Sequence, residues 1–236
     1  MNTLATDPGG VLAALAGTII VSCQAGPESP LNEPRIIAAL AGSAERGGAS
    51  GFRVDGPDNI AAVRAVSDRP IFGINKIDID DFEVRITPRL RDALAVIDAG
   101  ANVVALDGTP RVRPDGEQLV DLIAGIHERG VAVMADIATV DDARFAIDAG
   151  ADIVATTLAG YTADTADLDR REPAFQLVEA LGAAGIPFIV EGRIWTLEHV
   201  RACLDAGAHA IIIGSAITVP EFITKRFVTA LDREHA

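Results

Sequence analysis

Aromatic side chains are scarce in this chain. They make up 4% of 236 residues, with a single Trp and a single Tyr. Its core must then be filled by Ala, Val, Ile and Leu, the filling of sheets buried on both faces. Cysteine is almost missing too. Cys23 and Cys203 form no CxxC pair and no metal-ligand spacing, so a disulfide scaffold is excluded and a reducing, cytoplasmic setting is expected. His127, His199, His209 and His235 are scattered, and there is no HExxH, no Cys/His cluster and no complete Walker A loop. No bound metal is therefore expected.

Positive charge is in short supply, with 20 basic against 34 acidic residues and a net charge of −14. That disfavours nucleic acid and anionic membrane surfaces as partners. An anionic small molecule remains open, because a local cup of backbone N–H groups with one or two Arg outweighs distant, screened acids. No apolar run is long enough to span a bilayer. No Lys or Arg precedes Arg35, so the apolar stretch Val11–Cys23 lacks the basic flank of a signal peptide.

What the chain has is apolar runs, each closed by a polar residue. The clearest are PFIVEGR from Pro187 and AHAIIIGSA from Ala208. A short run of this kind suits a strand covered on both faces. The Gly-bearing turn after it presents bare N–H groups, a receptor for phosphate. Two such units in succession point to the phosphate cup after strands 7 and 8 of a (β/α)8 TIM barrel of the phosphate-binding type, formed by Gly192, Gly214 and Ser215. The length fits one such barrel, a single domain over residues 1–236.

An internal echo supports the barrel. Asp98-Ala-Gly-Ala, Asp148-Ala-Gly-Ala and Asp205-Ala-Gly-Ala each precede an apolar run, with a weaker copy at Glu45-Arg-Gly-Gly-Ala. Each reads as a helix end, a left-handed Gly and then a buried strand. Strands are expected at Thr18–Cys23, Ser50–Val54, Pro70–Asn75, Val103–Leu106, Ala132–Ala135, Ile153–Ala155, Phe188–Val190 and Ala210–Ile213. Helices are expected between them, among others at Asp58–Ala65, Thr87–Asp98, Gly116–Arg129, Val140–Asp148, Pro173–Ala184 and Thr196–Asp205. The first 17 residues should cap the barrel bottom, and Glu221–Arg233 should be the closing helix.

The C-terminal ends of barrel strands are where catalytic residues sit. In order they carry Gln24, Arg53, Lys76, Asp107, Asp136, Thr156 with Thr157, Glu191 and Ser215. A mouth with one Lys, one Arg, two Asp and one Glu is too polar for packing alone. Lys76 reads as a base with a pKa lowered by burial, against the alternative of a solvated, snorkelling lysine. Glu191 reads as a general acid/base, against an ion pair with Arg193; on a strand, neighbouring side chains point apart. Arg53 either orients a substrate hydroxyl or pairs with an acid. Asp107 and Asp136 either face the substrate or brace strand ends. Cys23 reads as core filling, and Tyr161 as a loop anchor or lid that can also touch substrate.

These segments resemble the N-acylglucosamine-6-phosphate 2-epimerases, also called N-acetylmannosamine-6-phosphate 2-epimerases. The matching pieces are IIVSCQ, GGASGFRV, GINK, ALDGTPRVRPDGE, MADIAT, TTLAGYT, VEGRIWT, and GSAIT followed by EFITKRF, in order along nearly the whole chain. The resemblance implies a cofactor-independent barrel enzyme of bacterial amino-sugar and sialic acid catabolism, usually a homodimer. It would interconvert N-acetylmannosamine 6-phosphate and N-acetylglucosamine 6-phosphate. Catalysis then falls on Lys76 and Glu191, and substrate contacts on Gln24, Arg53, Asp136 and the GSAIT turn. Thr157, Tyr161 and Arg193 complete the expected substrate contacts. Four positions depart from the family pattern: Ile77 within Lys76-Ile-Asp-Ile, Gly108, where Ala is usual, Ala159, where a polar residue is common, and Val219, where Arg is common. Arg193 or Arg226 would stand in for that missing Arg. Two other readings of the residues remain: an aldolase with a Schiff base on Lys76, and a sugar-phosphate-binding barrel without catalysis, which would not need an acid/base pair. One proton-transfer group or two is left open.

Overall fold

Short, mostly apolar runs suit strands covered on both faces, and eight of them build this molecule. In the computed structural model, which describes residues 8–232, they are β1 (Ile19–Cys23), β2 (Gly51–Asp55), β3 (Ile71–Ile74), β4 (Val103–Asp107), β5 (Ala132–Asp136), β6 (Ile153–Ala155), β7 (Phe188–Glu191) and β8 (Ala210–Ile213). They pair in parallel in chain order, and β8 closes on β1 to complete a barrel. Each strand lies within one residue of its expected bounds. The main extension is at the polar end: Asp55, Asp107, Asp136 and Glu191 are still paired in the ladder.

Helices coat the barrel: α1 (Pro8–Ala13), α2 (Pro34–Arg46), α3 (Pro57–Arg64), α4 (Leu90–Asp98), α5 (Leu119–His127), α6 (Val140–Asp148), α7 (Phe175–Ala184) and α8 (Leu197–Asp205). After β8 come α9 (Ser215–Thr218) and α10 (Pro220–Asp232). Arg233, the expected last residue of the closing helix, lies outside the described residues. α4 and α5 start later than their apolar pattern suggests. Thr87 takes a left-handed φ of 46° before Pro88, and residues 114–116 form a separate 3-10 turn with Asp115 at φ 59°. The Asp-Ala-Gly-Ala echo is a repeated helix stop. Gly100, Gly150 and Gly207 are left-handed. The following Ala101, Ala151 and Ala208 donate back to Val96, Ala146 and Cys203, the six-to-one bond of a Schellman motif.

Alternation along each strand divides the chain between two cores. One phase packs outward against the helices, as with Val21, Cys23, Val54 and Val133. The other fills the barrel: Ile20, Phe72, Ile74, Val103, Ala105, Ala132, Met134, Ile153, Ala155, Ile189, Ala210 and Ile212. Val11, Leu12 and Leu15 join the inner cluster from below, and His209 bonds to the Leu12 carbonyl at 2.7 Å. The expected bottom cap thus holds for residues 8–17, while residues 1–7 lie outside the described part. Continuing the inward phase upward by two residues from the apolar filling reaches the barrel mouth on every strand.

Candidate active site

The inward phase delivers Ser22 from β1 and Gln24 just beyond it, Arg53 and Asp55 from β2, Lys76 beyond β3, Asp136 from β5, Thr157 beyond β6 and Glu191 from β7. Arg53 is the largest fully buried side chain of the molecule. Its guanidinium is forked onto Asp136, with Nη1–Oδ1 at 2.9 Å and Nη2–Oδ2 at 2.5 Å. The same Nη1 donates to Glu191 Oε2 and reaches the Thr157 hydroxyl at 3.1 Å. Thr157 donates to Asp136 at 2.6 Å and lies 3.1 Å from Glu191. Thr156 exchanges two hydrogen bonds with the backbone of Glu191, at 3.0 and 3.1 Å, tying the ends of β6 and β7 together. Four of the expected site residues therefore form one buried network. Arg53 takes the ion-pair role, with both acids at once.

Lys76 sits apart from this network. Its Nζ donates to Gln24 Oε1 at 2.6 Å, while Gln24 Nε2 donates to Ser22 Oγ at 2.7 Å and so keeps the amide oxygen facing the ammonium. The Lys76 backbone N–H donates to Asp55 Oδ1 at 2.9 Å, and Nζ lies 4.0 Å from Oδ2. Its backbone is further fixed by a bridge to Ile86 and by the neighbouring bond from Thr87 N–H to Asn75. The side chain keeps 45% of its surface open to the mouth. Asp55 and Ser22 escaped the sequence reading. The signal that finds them is phase: each lies two residues from a recognised mouth residue on the same strand.

Electrostatics separate the groups further. Crowding that removes water lowers the Lys76 pKa, with Asp55 pulling the other way. Burial raises the Glu191 pKa, with Asp136 adding to the rise and Arg53 opposing it. Asp55 is likewise raised by burial. Burial works against the Arg53 charge, but Asp136 and Glu191 overcome it and hold the guanidinium firmly protonated. The result is a fixed cation in the network and a displaced acid and base beside it, the pattern expected of proton-transfer sites. Burial pushes the Cys23 thiol up to about 12, which removes it as a nucleophile at neutral pH. Asp107 is taken by its own loop, with bonds from Thr109 and Arg111.

The remaining expected residues line the rim. Gly192 follows β7 with φ 108°, a conformation open to Gly, and Arg193 comes next at φ 62°. Gly214 follows β8 and caps the short helix α9, which starts at Ser215. Thr218 donates to the Ser22 carbonyl at 2.7 Å, locking that turn to β1. Arg193 donates to the Ala159 carbonyl at 3.0 Å and leaves buried Nε and Nη1 without partners. Tyr161 is exposed and stacked under Arg170 at 4.9 Å. Neither joins the hydrogen bonds of the central network. Among the described residues, no three His, Cys, Asp or Glu side chains converge as metal ligands, and no helix is long and apolar enough to cross a membrane.

Residues 37–233 match the NanE family, described as "Putative N-acetylmannosamine-6-phosphate epimerase". The chain belongs to this family. A relative from Cutibacterium acnes, named "Putative N-acetylmannosamine-6-phosphate 2-epimerase", is 44% identical over 225 residues, covering 94% of this chain and 96% of the relative. A relative from Clostridioides difficile with the same printed name is 40% identical over 94% of this chain and 99% of its own. The solved N-acetylmannosamine-6-phosphate 2-epimerase of Clostridium perfringens superposes with a TM-score of 0.90 at 39% identity, over 93% of this chain and 95% of that one. A thiamine phosphate pyrophosphorylase from Pyrococcus furiosus, at 18% identity and TM-score 0.56, shares the barrel fold alone. Within the epimerase family, this chain's departures have local settings. A side chain at Gly108 would bring its Cβ to 2.7 Å from the Ala135 Cβ, so Gly fits at this turn. Arg226 lies over the Trp195 ring at 4.5 Å.

Proposed function

We propose that this protein is a cofactor-independent 2-epimerase that interconverts N-acetylmannosamine 6-phosphate and N-acetylglucosamine 6-phosphate, in cytoplasmic amino-sugar and sialic acid catabolism. The observation that carries this reading is the placement of Lys76 and Glu191. They extend from β3 and β7, four strands apart in a ring of eight and so on opposite sides of the mouth. Their pKa values are displaced toward each other.

Epimerisation at C2 of the open-chain sugar breaks a C2–H bond beside the C1 aldehyde and makes a new one on the other face. It needs a base, an acid and stabilisation of the enolate oxygen, and two groups on opposite sides of the mouth favour the two-group form. In one direction the neutral Lys76 amine takes the C2 proton, and the electron pair moves through C1 onto oxygen. Protonated Glu191 then returns a proton to the opposite face as the enolate collapses. The other direction runs the same steps backward, with the lysine ammonium as acid. Arg53 supplies fixed positive charge beside the developing oxyanion. Its unpaired, buried Nε and the polar groups of Gln24, Asp136, Thr157 and Tyr161 receive the sugar. The phosphate binds at the turns of Gly192, Gly214 and Ser215, with Arg193 beside them. It lies far from C2, so its binding energy holds the sugar in the reactive pose.

A homodimer is part of this reading. α10 exposes Phe222, Phe227, Val228 and Leu231, with Phe227 at 73%, and an apolar patch of this kind marks a protein interface.

The test is proton NMR of N-acetylmannosamine 6-phosphate with the protein in deuterated water. The expected result is the gluco epimer carrying deuterium at C2. Binding without any epimer would overturn the reading in favour of a binding barrel. Trapping of a covalent adduct on Lys76 by borohydride would overturn it in favour of Schiff-base chemistry.

A further inference from the structure

Five polar groups from four strands or strand ends face the Lys76 ammonium: Gln24 from β1, Arg53 and Asp55 from β2, Asp136 from β5 and Glu191 from β7. Gln24 is neutral, and Arg53 repels. Asp136 and Glu191 are both bound to the Arg53 guanidinium, so two of the three acids already share a cation of their own. Asp55 is different. Its only ion-pair partner among the described residues is Lys76.

The geometry ties Asp55 to Lys76 twice. One carboxylate oxygen accepts the Lys76 backbone N–H at 2.9 Å, and the other lies 4.0 Å from Nζ. Asp55 is itself fixed. It pairs with Ile74 in the β2–β3 ladder, and its carbonyl accepts from Asn59 Nδ2 at 2.7 Å. A strand-end brace needs the first contact alone. The second oxygen, at 4.0 Å, is too long for a hydrogen bond and close enough for charge to act.

We propose that Asp55 is a positioning residue for the proton transfer, holding the Lys76 backbone with one oxygen and setting the charge state of its amine with the other. This rests on the reading of Lys76 as the group that exchanges the C2 proton. The negative charge of Asp55 holds the ammonium in place against Arg53 and against burial. Without it, the amine loses basicity, and a weaker base takes the C2 proton more slowly. Gln24 then orients the amine, and Asp55 tunes it.

Asn at this position keeps the oxygen that accepts the Lys76 N–H and removes the charge. The chain has two lysines, Lys76 and the exposed Lys225, so amine-specific labelling is easy to follow. Trace acetylation across pH, read by peptide mass spectrometry with Lys225 as the internal standard, gives the midpoint of the Lys76 amine without any substrate. In Asp55→Asn that midpoint should fall by about one pH unit, the size of effect an opposite charge at this range exerts. The limb of the kcat/KM profile that reports Lys76 should move down with it, and Asp55→Glu should restore both. An unchanged midpoint and profile in Asp55→Asn would overturn the proposal and leave Asp55 a backbone brace.

The reciprocal measurement covers the case in which the Asp55 variants do not fold. In Lys76→Met, the Asp55 carboxyl, followed by carbon-13 NMR, should titrate about one unit higher than in the unaltered protein. A carboxyl that titrates at the same pH in both would equally overturn the proposal. Failure of the epimerase reading appears separately, as absence of deuterium exchange in the unaltered protein while the labelling midpoints still shift.

Discussion

Two cations stand at the mouth of this barrel, and they are held in opposite ways. Arg53 is 1% exposed and is gripped by Asp136, Glu191 and Thr157. Lys76 is half open to solvent and has one short side-chain bond, to Gln24, and one acid at 4.0 Å. The difference follows from what each group can do. A guanidinium cannot lose its proton in a protein, so burying it against the Asp136 carboxylate makes a fixed dipole that costs no reorganisation during the reaction. An amine can change charge, and proton transfer requires that it does. A lysine locked into a full salt bridge would be held charged. In the proposed reaction, the loose setting of Lys76 and the tight setting of Arg53 are two halves of one device, a movable proton beside a fixed field.

The largest effect that can break this contrast is removal of the movable half. Lys76→Ala should lower kcat by about a thousandfold or more, within the range of general acid–base catalysis, while phosphate-sugar binding and thermal stability stay near those of the unaltered protein. Calorimetric titration beside the deuterium-exchange assay reads both. Appreciable turnover in this variant would sink the assignment. Arg53→Met attacks the fixed half. It leaves two carboxylates buried without their cation, a change that costs about 3–5 kcal/mol. In a domain of this size that is a fall in Tm of roughly 10 °C, measured by differential scanning calorimetry. A stable Arg53→Met protein would mean that the network is solvated.

Glu191→Gln separates the halves more finely. It removes one of two acids sharing Arg53 and also the proposed acid opposite Lys76. Turnover should fall about a hundredfold, with Tm within a few degrees of the starting value. A Tm loss as large as that of Arg53→Met, with turnover kept, would make Glu191 part of the fixed field and not a proton carrier. The pH profile of kcat/KM tests the same pair. Glu191 is raised, so the acid limb lies above that of an ordinary glutamate; Lys76 is lowered, so the basic limb lies below that of an ordinary lysine. The bell should be narrower than the two ordinary values allow, and a broad plateau reaching either of them would contradict the pairing.

The two regions also differed in how far the sequence revealed them. Strand positions were legible because each apolar run is buried on both faces and ends in a polar residue, a pattern that needs no distant information. Gln24, Arg53, Lys76, Asp136, Thr157 and Glu191 were found by that rule. What they do to one another was not. Arg53 lies 83 residues from Asp136 and 138 from Glu191, and sequence spacing says nothing about pairs that only barrel closure brings together. Asp55 was hidden for another reason. In Asp-Gly-Pro-Asp it reads as turn chemistry, and only strand phase, with the β2–β3 register, carries it to Lys76.

The smallest effect concerns charge added outside both regions. Val219 follows α9, which begins at the Gly214–Ser215 turn proposed to hold the phosphate. Arg226 lies over Trp195, and Arg193 donates to the Ala159 carbonyl, so each has an assigned contact already. Val219→Arg should place a further guanidinium near the phosphate. At a position only partly buried, such a pair contributes about 0.2–1 kcal/mol. KM for the phosphorylated sugar should therefore drop roughly two- to fivefold at low salt, with kcat and the pH limbs unchanged, and the gain should shrink as salt screens it. A change in kcat or in the Lys76 limb would show that the phosphate end is coupled to the movable proton. An unchanged KM would mean that the residues already present saturate the phosphate site.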